Sequence, residues 1–420
     1  MTVALAQVAV QKDRIIFSGC QRKSNFTDRP PGGSVRARQF YRILAPVKKN
    51  VSIQGLGLIT PLGVTASSNW EAIRADHKLI DRGVISDQIL QQQETHYGPY
   101  LRLDRFGNIT PDRVIRLGLI AACQALAHAG WLQARQQPDT ALFVATSKGP
   151  ILSNLEAYRR LREAGPASVN TSLAWHVGHG PAAIALAISA ALNLQVHTTC
   201  VGACAGALIA IHYARLALVS GYCQRALVVA ADASLHPILE NSFDNLGVLA
   251  PREMDGHRRC HPFAPQGGGF FISEGAAAIC LERTQSPGDL ILANSWTGAD
   301  ATHLVRTDPR AGALIGGLNT FSALPPPDFI HAHAAGTHGD LFELSAIRHV
   351  FGVTPEVFSS KQWLGHALGA AGLISLTLSA LCHQRQQTLP GNPLPPTSRS
   401  ITIGQGFGGH IALCDLKSNG

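Results

Sequence analysis

From Val51 onward the chain alternates apolar runs of strand length with longer runs of helical period, and this alternation restricts it to an α/β architecture. Strand-like segments stand at Ala141–Ala145, Gln195–Val201, Ala226–Ala230, Ala276–Leu281 and Ile401–Ile403. Helical patterns fall at Ser68–Arg74, Thr110–Gly130, Cys204–Ser220 and Ala370–Cys382. The second is amphipathic, with Val114, Leu117, Leu119, Ile120, Cys123 and Leu126 spaced to face a core. Two proline-containing stretches, Leu324–Pro327 and Pro390–Ser400, read as surface connections. At 420 residues the chain has room for two or three domains, and 45% hydrophobic against 15% charged residues excludes a disordered chain.

The net charge of +8 is concentrated at one end. Residues 1–50 hold ten Lys/Arg against Asp13 and Asp28, so the remaining 370 residues are balanced. The basic character therefore describes an N-terminal segment, and a nucleic-acid-binding body is not expected. Its apolar stretch precedes its positive charge, the reverse of a secretory signal. A disordered extension, a start assigned too far upstream and an organelle transit peptide are the readings open for it; each leaves residues 1–50 outside the fold.

Nine cysteines without paired CxxC spacing suggest a reduced, cytoplasmic protein. The most apolar stretch, Ala203–Ser220, contains Cys204, His212 and Arg215, so a buried helix is expected there and no membrane span. Near the start of the body, Gly55-x-Gly57 has part of a dinucleotide-binding spacing. Thr60 stands where the third small residue belongs, and Pro61 and Gly63 where the phosphate-binding helix should begin. Nucleotide binding is not expected.

Cys204 follows a strand-like run and opens a helix that Gly221 can close. Ala205, Gly206 and Ala207 leave the first turn uncrowded, and a helix N-terminus favours thiolate. On spacing alone a small core cysteine is the competing reading. Three further runs bear on it: His331–Asp340, Lys361–Gly372 with His366, and the glycine-rich turn Gly406–His410.

Together with Cys204–His212, Leu56–Gly63, Pro262-Phe263 and Phe270–Ala276, these runs resemble the β-ketoacyl synthases, condensing enzymes of the thiolase superfamily. The resemblance spans Val51–Leu416 in the family's order. Its Cys/His/His set is that of the elongating branch. It implies a thiolase fold, with two βαβαβαββ halves, at 51–285 and 286–420, stacked as a five-layer αβαβα sandwich. It implies a 3-oxoacyl-[acyl-carrier-protein] synthase of fatty-acid or polyketide/polyene elongation, an acyltransferase without cofactor whose substrates ride on the phosphopantetheine of an acyl carrier protein. By the same resemblance Cys204 would take the acyl chain, and the N–H groups of Cys204 and Phe407 would form the oxyanion hole. His333 and His366 would promote malonyl decarboxylation and hold the enolate, and Lys361 would organise them through a carboxylate. Glu343 and Asp340 would support the site, and Thr337, Phe270, Phe407 and Gly408 would contact substrate. A dimer through Gln195–Ala203 is expected, with an identical or a related subunit.

This chain departs from the family pattern at several points. Ala335 replaces one of two threonines, Ser273 a glycine, His410 a threonine and Ser375 an acid. Two other functions therefore stay open: a non-condensing chain-length-factor-like partner subunit, and a Cys-dependent transacylase or hydrolase. His331, His333 and His338 would permit a metal site, although a structural or surface role fits His331 and His338 better. Cys200, Cys223 and Cys280 read as core residues and His212 as a packing histidine. Lys148, Arg258 and Arg259 are candidates for a basic patch facing the acidic carrier.

Overall fold

A computed structural model describes residues 10–11, 14–15, 50–102, 111–132, 140–168, 178–194, 196–283, 289–352 and 355–418. The chain divides into two compact units, Met1–Pro46 and Val47–Gly420. In the first, β1 (Val10–Gln11) pairs antiparallel with β2 (Arg14–Ile15). The other expectations for residues 1–49, and that for Gln195, lie outside the described residues.

The second unit repeats one design. Its first five strands are β3 (Val51–Ile59), β4 (Thr140–Ala145), β5 (Val196–Cys200), β6 (Arg225–Asp232) and β7 (Gly275–Glu282). The next five are β8 (Leu290–Ala299), β9 (Phe329–His331), β10 (Glu356–Phe358), β11 (Arg399–Gly406) and β12 (His410–Ser418). They lie in the orders β3-β7-β6-β4-β5 and β8-β12-β11-β9-β10, which are the same order within each half. In each half the first two pairings along that order are antiparallel and the last two parallel. The halves join edge to edge where Val51 and Ser52 of β3 face Leu292 and Ile291 of β8.

Strand side chains alternate between two apolar environments, which is why these strands read as nearly continuous hydrophobic runs. Phe143, Val228 and Ile279 of the first sheet and Leu292, Phe329 and Leu416 of the second enclose the helices Gly206–Ser220 and Ala371–Arg385. The opposite faces are covered separately. Leu142, Val144 and Leu227 meet the helices Arg113–His128 and Ala183–Leu192, while Ile401, Ile403 and Leu413 meet Gly312–Asn319 and Gly339–Phe351. Five layers result, as the resemblance implied.

Gly55 and Gly57 have a packing function here. A Cβ on either would stand about 2 Å from a carbonyl oxygen of helix Arg113–His128, that of Ala125 or Ala121, so the helix lies directly on β3. The segment Ala203–Ser220 is long and apolar enough by composition to cross a membrane, and it occupies the central layer instead. One boundary needs correction. Arg399 and Ser400, assigned from sequence to a surface connection, begin β11 and are buried, with Arg399 paired to Asp415 at 2.9 Å. The strand begins at a charged residue because its ion pair is sequestered with it, which composition does not signal.

Candidate active site

Each central helix begins with a three-residue 3₁₀ turn, Ala203–Ala205 in one half and Leu368–Ala370 in the other. Each turn opens on a non-glycine residue with positive φ, Ala203 at 47° and Leu368 at 43°. Such conformations cost energy and persist where surrounding contacts fix them. Cys204 is the middle residue of the first turn, and the α-helix itself starts at Gly206, two residues later than expected. Gly406, at the end of β11, lies against this turn: a Cβ there would be 3.0 Å from the Cys204 amide nitrogen. Phe407 follows directly, so the two proposed oxyanion donors come from neighbouring segments.

His333 and His366 come from the second half. Their rings are 5.6 Å apart, centroid to centroid, at 75°. β9 ends at His331, so the i, i+2 relation expected on a strand does not carry through to His333. His331 is instead buried between hydroxyls, with Nδ1 3.1 Å from Ser379 and Nε2 3.0 Å from Ser360. Among the described residues no group of three metal-ligating side chains assembles. His366 is held by its backbone: its N–H donates to Phe271 and its carbonyl accepts from Ser273. Phe270 meets its ring edge-on at 4.7 Å, and its Nδ1 is buried without a protein hydrogen-bond partner.

Two carboxylates hold the first histidine loop. Glu343 accepts from the N–H groups of His333 and Ala334, at 2.7 and 2.9 Å. Asp340 accepts from those of Ala335, Gly336, Thr337 and Phe263, all within 3.3 Å. Lys361 donates to the His333 carbonyl, and no carboxylate stands within ion-pair distance of it among the described residues. Lys361 thus meets the His333 loop through its backbone carbonyl, while the Glu343 charge, beyond ion-pair distance, favours its ammonium. Ser375, where the family has an acid, lies beside Ser360 and supplies no charge.

Burial sets the protonation states. It pushes both imidazoles well below the usual histidine range, and the Lys361 charge adds to this, so both are neutral. It also lowers Lys361 and raises Glu343. The Cys204 thiol is pushed up to about 11, against the lowering expected from a helix N-terminus. Desolvation outweighs the pull of Lys361 and Lys148 toward thiolate. In the resting site the sulfur therefore carries its proton.

Cys204, His333, His366, Phe270 and Phe407 line one cavity of about 640 Å³, which Thr337, Asp340 and Glu343 also reach. Gly408 does not line it, because it donates its N–H to the Leu304 carbonyl in the turn between β11 and β12. Sequence reasoning missed Phe243, which lines the same cavity and stacks on Phe407 at 6.4 Å. It also missed Asp232, at the end of β6, which accepts from the N–H of Gly369 and from Ser147 and Ser234. Asp232 ends an apolar strand that hides it, and Phe243 is the one buried residue of the otherwise polar helix Pro237–Asn245. Cys200, Cys223 and Cys280 are buried, and His212 is half-buried with Ser295 at 3.0 Å. Arg258 and Arg259 are bound to Asp244 and Asp255, so neither is a free basic patch. Exposed Arg306 and His338, with His410, line the cavity instead.

Two five-stranded sheets of the same order around paired central helices, with a cysteine on one helix turn and two neutral histidines from the opposite half, define a thiolase-fold condensing enzyme. Comparison with known proteins narrows the class. Residues 48–286 match the beta-ketoacyl synthase N-terminal domain and 327–393 the C-terminal domain. The chain belongs to the β-ketoacyl synthase family. It is 25% identical over 395 residues to a putative polyketide beta-ketoacyl synthase 1 of Streptomyces halstedii, covering 85% of this chain and 89% of that one. It is 26% identical over 409 residues to 3-oxoacyl-[acyl-carrier-protein] synthase 2 of Mycobacterium leprae, covering 86% and 94%. Among solved structures, a type II polyketide ketosynthase complexed with its acyl carrier protein and bound to a hexaketide superposes with a TM-score of 0.72. That match has 21% identity and covers 88% of this chain and 98% of that one.

Proposed function

We propose that the chain joins an acyl group on Cys204 to a malonyl unit on an acyl carrier protein, giving a 3-oxoacyl thioester two carbons longer. The observation that carries this reading is the shared cavity of Cys204, His333 and His366, with both imidazoles neutral. A neutral imidazole that lines the cavity can donate an N–H to a substrate oxygen.

In this reading Cys204 Sγ attacks the carrier-bound acyl thioester, and the thiol proton leaves on the carrier's sulfur. The amides of Cys204 and Phe407 face the charge that develops on the carbonyl oxygen. A malonyl thioester then loses CO2. The electron pair of the broken C–C bond becomes an enolate held by His333 and His366. Its carbon attacks the acyl carbonyl, the C–S bond to Cys204 breaks, and the sulfur takes up a proton. Lys361 and Glu343 hold the His333 loop, and Thr337 and Phe270 border the substrate. Arg306 favours an acidic carrier at the cavity mouth, beside His338 and His410. β5, paired on one side only among the described residues and followed by exposed Val201, is the surface for a second synthase subunit.

Intact-mass analysis with acyl- and malonyl-carrier protein tests the reading. An adduct on wild type that is absent from Cys204→Ala, followed by a product two carbons longer, is the expected result. An adduct without elongation would leave a transacylase, and no adduct would leave a partner subunit.

A further inference from the structure

β4, β5 and β6 run parallel, and their register brings their carboxyl ends together, with Ala145 between Cys200 and Ala230. Ser147, Cys204 and Asp232 all come from this end. The second half docks the turn that follows His366 against it: a Cβ on Gly369 would be 3.0 Å from Asp232 Oδ2. Asp232 is 1% exposed and accepts four hydrogen bonds, all from uncharged donors. Oδ1 takes the Ser234 hydroxyl. Oδ2 takes the Ser147 hydroxyl, the Ser147 N–H at 3.1 Å and the Gly369 N–H at 3.2 Å. Gly369 is thus the donor that comes from the other half. Ser147 is braced in turn by Lys148, which is half-buried, donates from Nζ to its hydroxyl at 3.0 Å and lies 5.3 Å from the centroid of the Phe243 ring.

Only Ala367 and Leu368 separate Gly369 from His366, and Leu368 holds a positive φ of 43°. Such a backbone persists while its neighbours fix it. On its other side His366 is secured to Phe271 and Ser273 by its own N–H and carbonyl. The imidazole is therefore carried on a short span clamped at both ends, and one clamp is a side chain of the half that bears Cys204. Without that carboxylate the Gly369 N–H would be buried with no acceptor, a cost that the turn escapes by shifting. Displacing a catalytic group by about 1 Å can lower a rate about a hundredfold. Cys204 is held separately, by its own turn, in which the Ala205 N–H donates to Gly202.

We propose that Asp232 is a positioning residue for the condensation: by accepting the Gly369 N–H across the two halves it fixes His366 relative to Cys204. This inference rests on the roles given above to Cys204 and His366. It separates the two half-reactions, since decarboxylation needs the histidine in place and acylation of the sulfur does not depend on this clamp.

The test measures them apart: acylation of Cys204 by an acyl pantetheine thioester, followed by intact mass, and CO2 release from a malonyl pantetheine thioester by the acylated enzyme. Asp232→Ala should lower kcat for CO2 release at least about thirtyfold with KM within about twofold, while acylation falls less than about threefold. Asp232→Thr, too short to reach Gly369, takes its place if that variant does not fold. Asp232→Asn should stay within about threefold of wild type in both, because its carbonyl oxygen still serves the two N–H groups on Oδ2 and the two hydroxyls can turn to accept its amide. Loss of both half-reactions in parallel, as general damage to the fold would give, or loss of neither, would overturn the inference. So would an Asp232→Asn as slow as Asp232→Ala. Each of these outcomes leaves the proposed function standing, whereas a wild type that neither loads an acyl group nor releases CO2 removes both.

Discussion

The two halves share a strand order and a strained turn before each central helix, yet they finish that turn differently. In the second half the middle residue is Gly369. Its N–H donates to the Asp232 carboxylate, and a Cβ there would stand 2.3 Å from the Ser147 nitrogen. The turn is filled and capped. In the first half the middle residue is Cys204, and the element facing it ends in Gly406, which brings backbone and no side chain. One copy of the turn is closed by a carboxylate from the other half, while its counterpart is left open toward the cavity. A duplicated scaffold can thus supply a structural joint and a reactive one from the same geometry, and the distinction rests on what the opposite half places there.

The largest expected difference between the turns is chemical. Cys204→Ala should lower condensation by more than about a thousandfold, with its melting temperature little changed, as activity and calorimetry together would show. A comparable loss of stability in Cys204→Ala would mean that this turn too is structural.

Acid should separate the halves next. The second half buries His331 and His383, lowered by desolvation to about 3 and about 4. Unfolded histidines bind protons below about pH 6.5 while these stay neutral in the fold, so stability falls as pH drops through that window. Between pH 6.5 and 5 these two should cost about 3 kcal/mol, the slope rising toward about 1.4 kcal/mol per group and pH unit as the unfolded histidines fill with protons. Urea midpoints across this range measure it, and His383→Asn should remove about a quarter of the slope, because His333 and His366 are held neutral as well. A flat profile would show that the second half relaxes to hydrate them.

A smaller effect is expected from Gly369→Ala, which forces a methyl into backbone. It should destabilise by about 1–3 kcal/mol, read from denaturant midpoints, whereas Ala205→Gly beside the open turn should cost less. The smallest belongs to the rim. Arg306→Ala should raise KM for an acidic carrier protein about twofold to fivefold at low salt, with kcat unchanged and the difference fading at high ionic strength.

Much of the fold was legible because strand and helix periods differ, and because buried strands write themselves as runs such as Ala226–Ala230. Cys204, His333 and His366 were legible through their motifs. Contacts between distant segments were not. Glu274 is an example: it lies in a recognisable run, but its part, accepting from Arg113 and from the Ile85 N–H, depends on residues more than a hundred positions away. Lys361 was recognised as a site residue, but its hydrogen bond to the His333 backbone was not, since a backbone carbonyl leaves no mark in the sequence. The ionisation of Cys204 was misjudged because a local rule about helix ends cannot register how thoroughly other segments exclude water. Lys148 was taken for a surface charge because nothing beside it in sequence announces Phe243.

The helix Ala371–Arg385 has every residue from Ala371 to His383 buried, so over that stretch no face of it touches solvent. Local fraying cannot expose such a segment, because any opening must first part the two sheets. Its amide protons should therefore exchange with deuterium only as fast as the whole body unfolds, and among the slowest would be those just downstream of His366. The second histidine is then tied to the slowest clock in the molecule, and substrate must fit the site as it finds it.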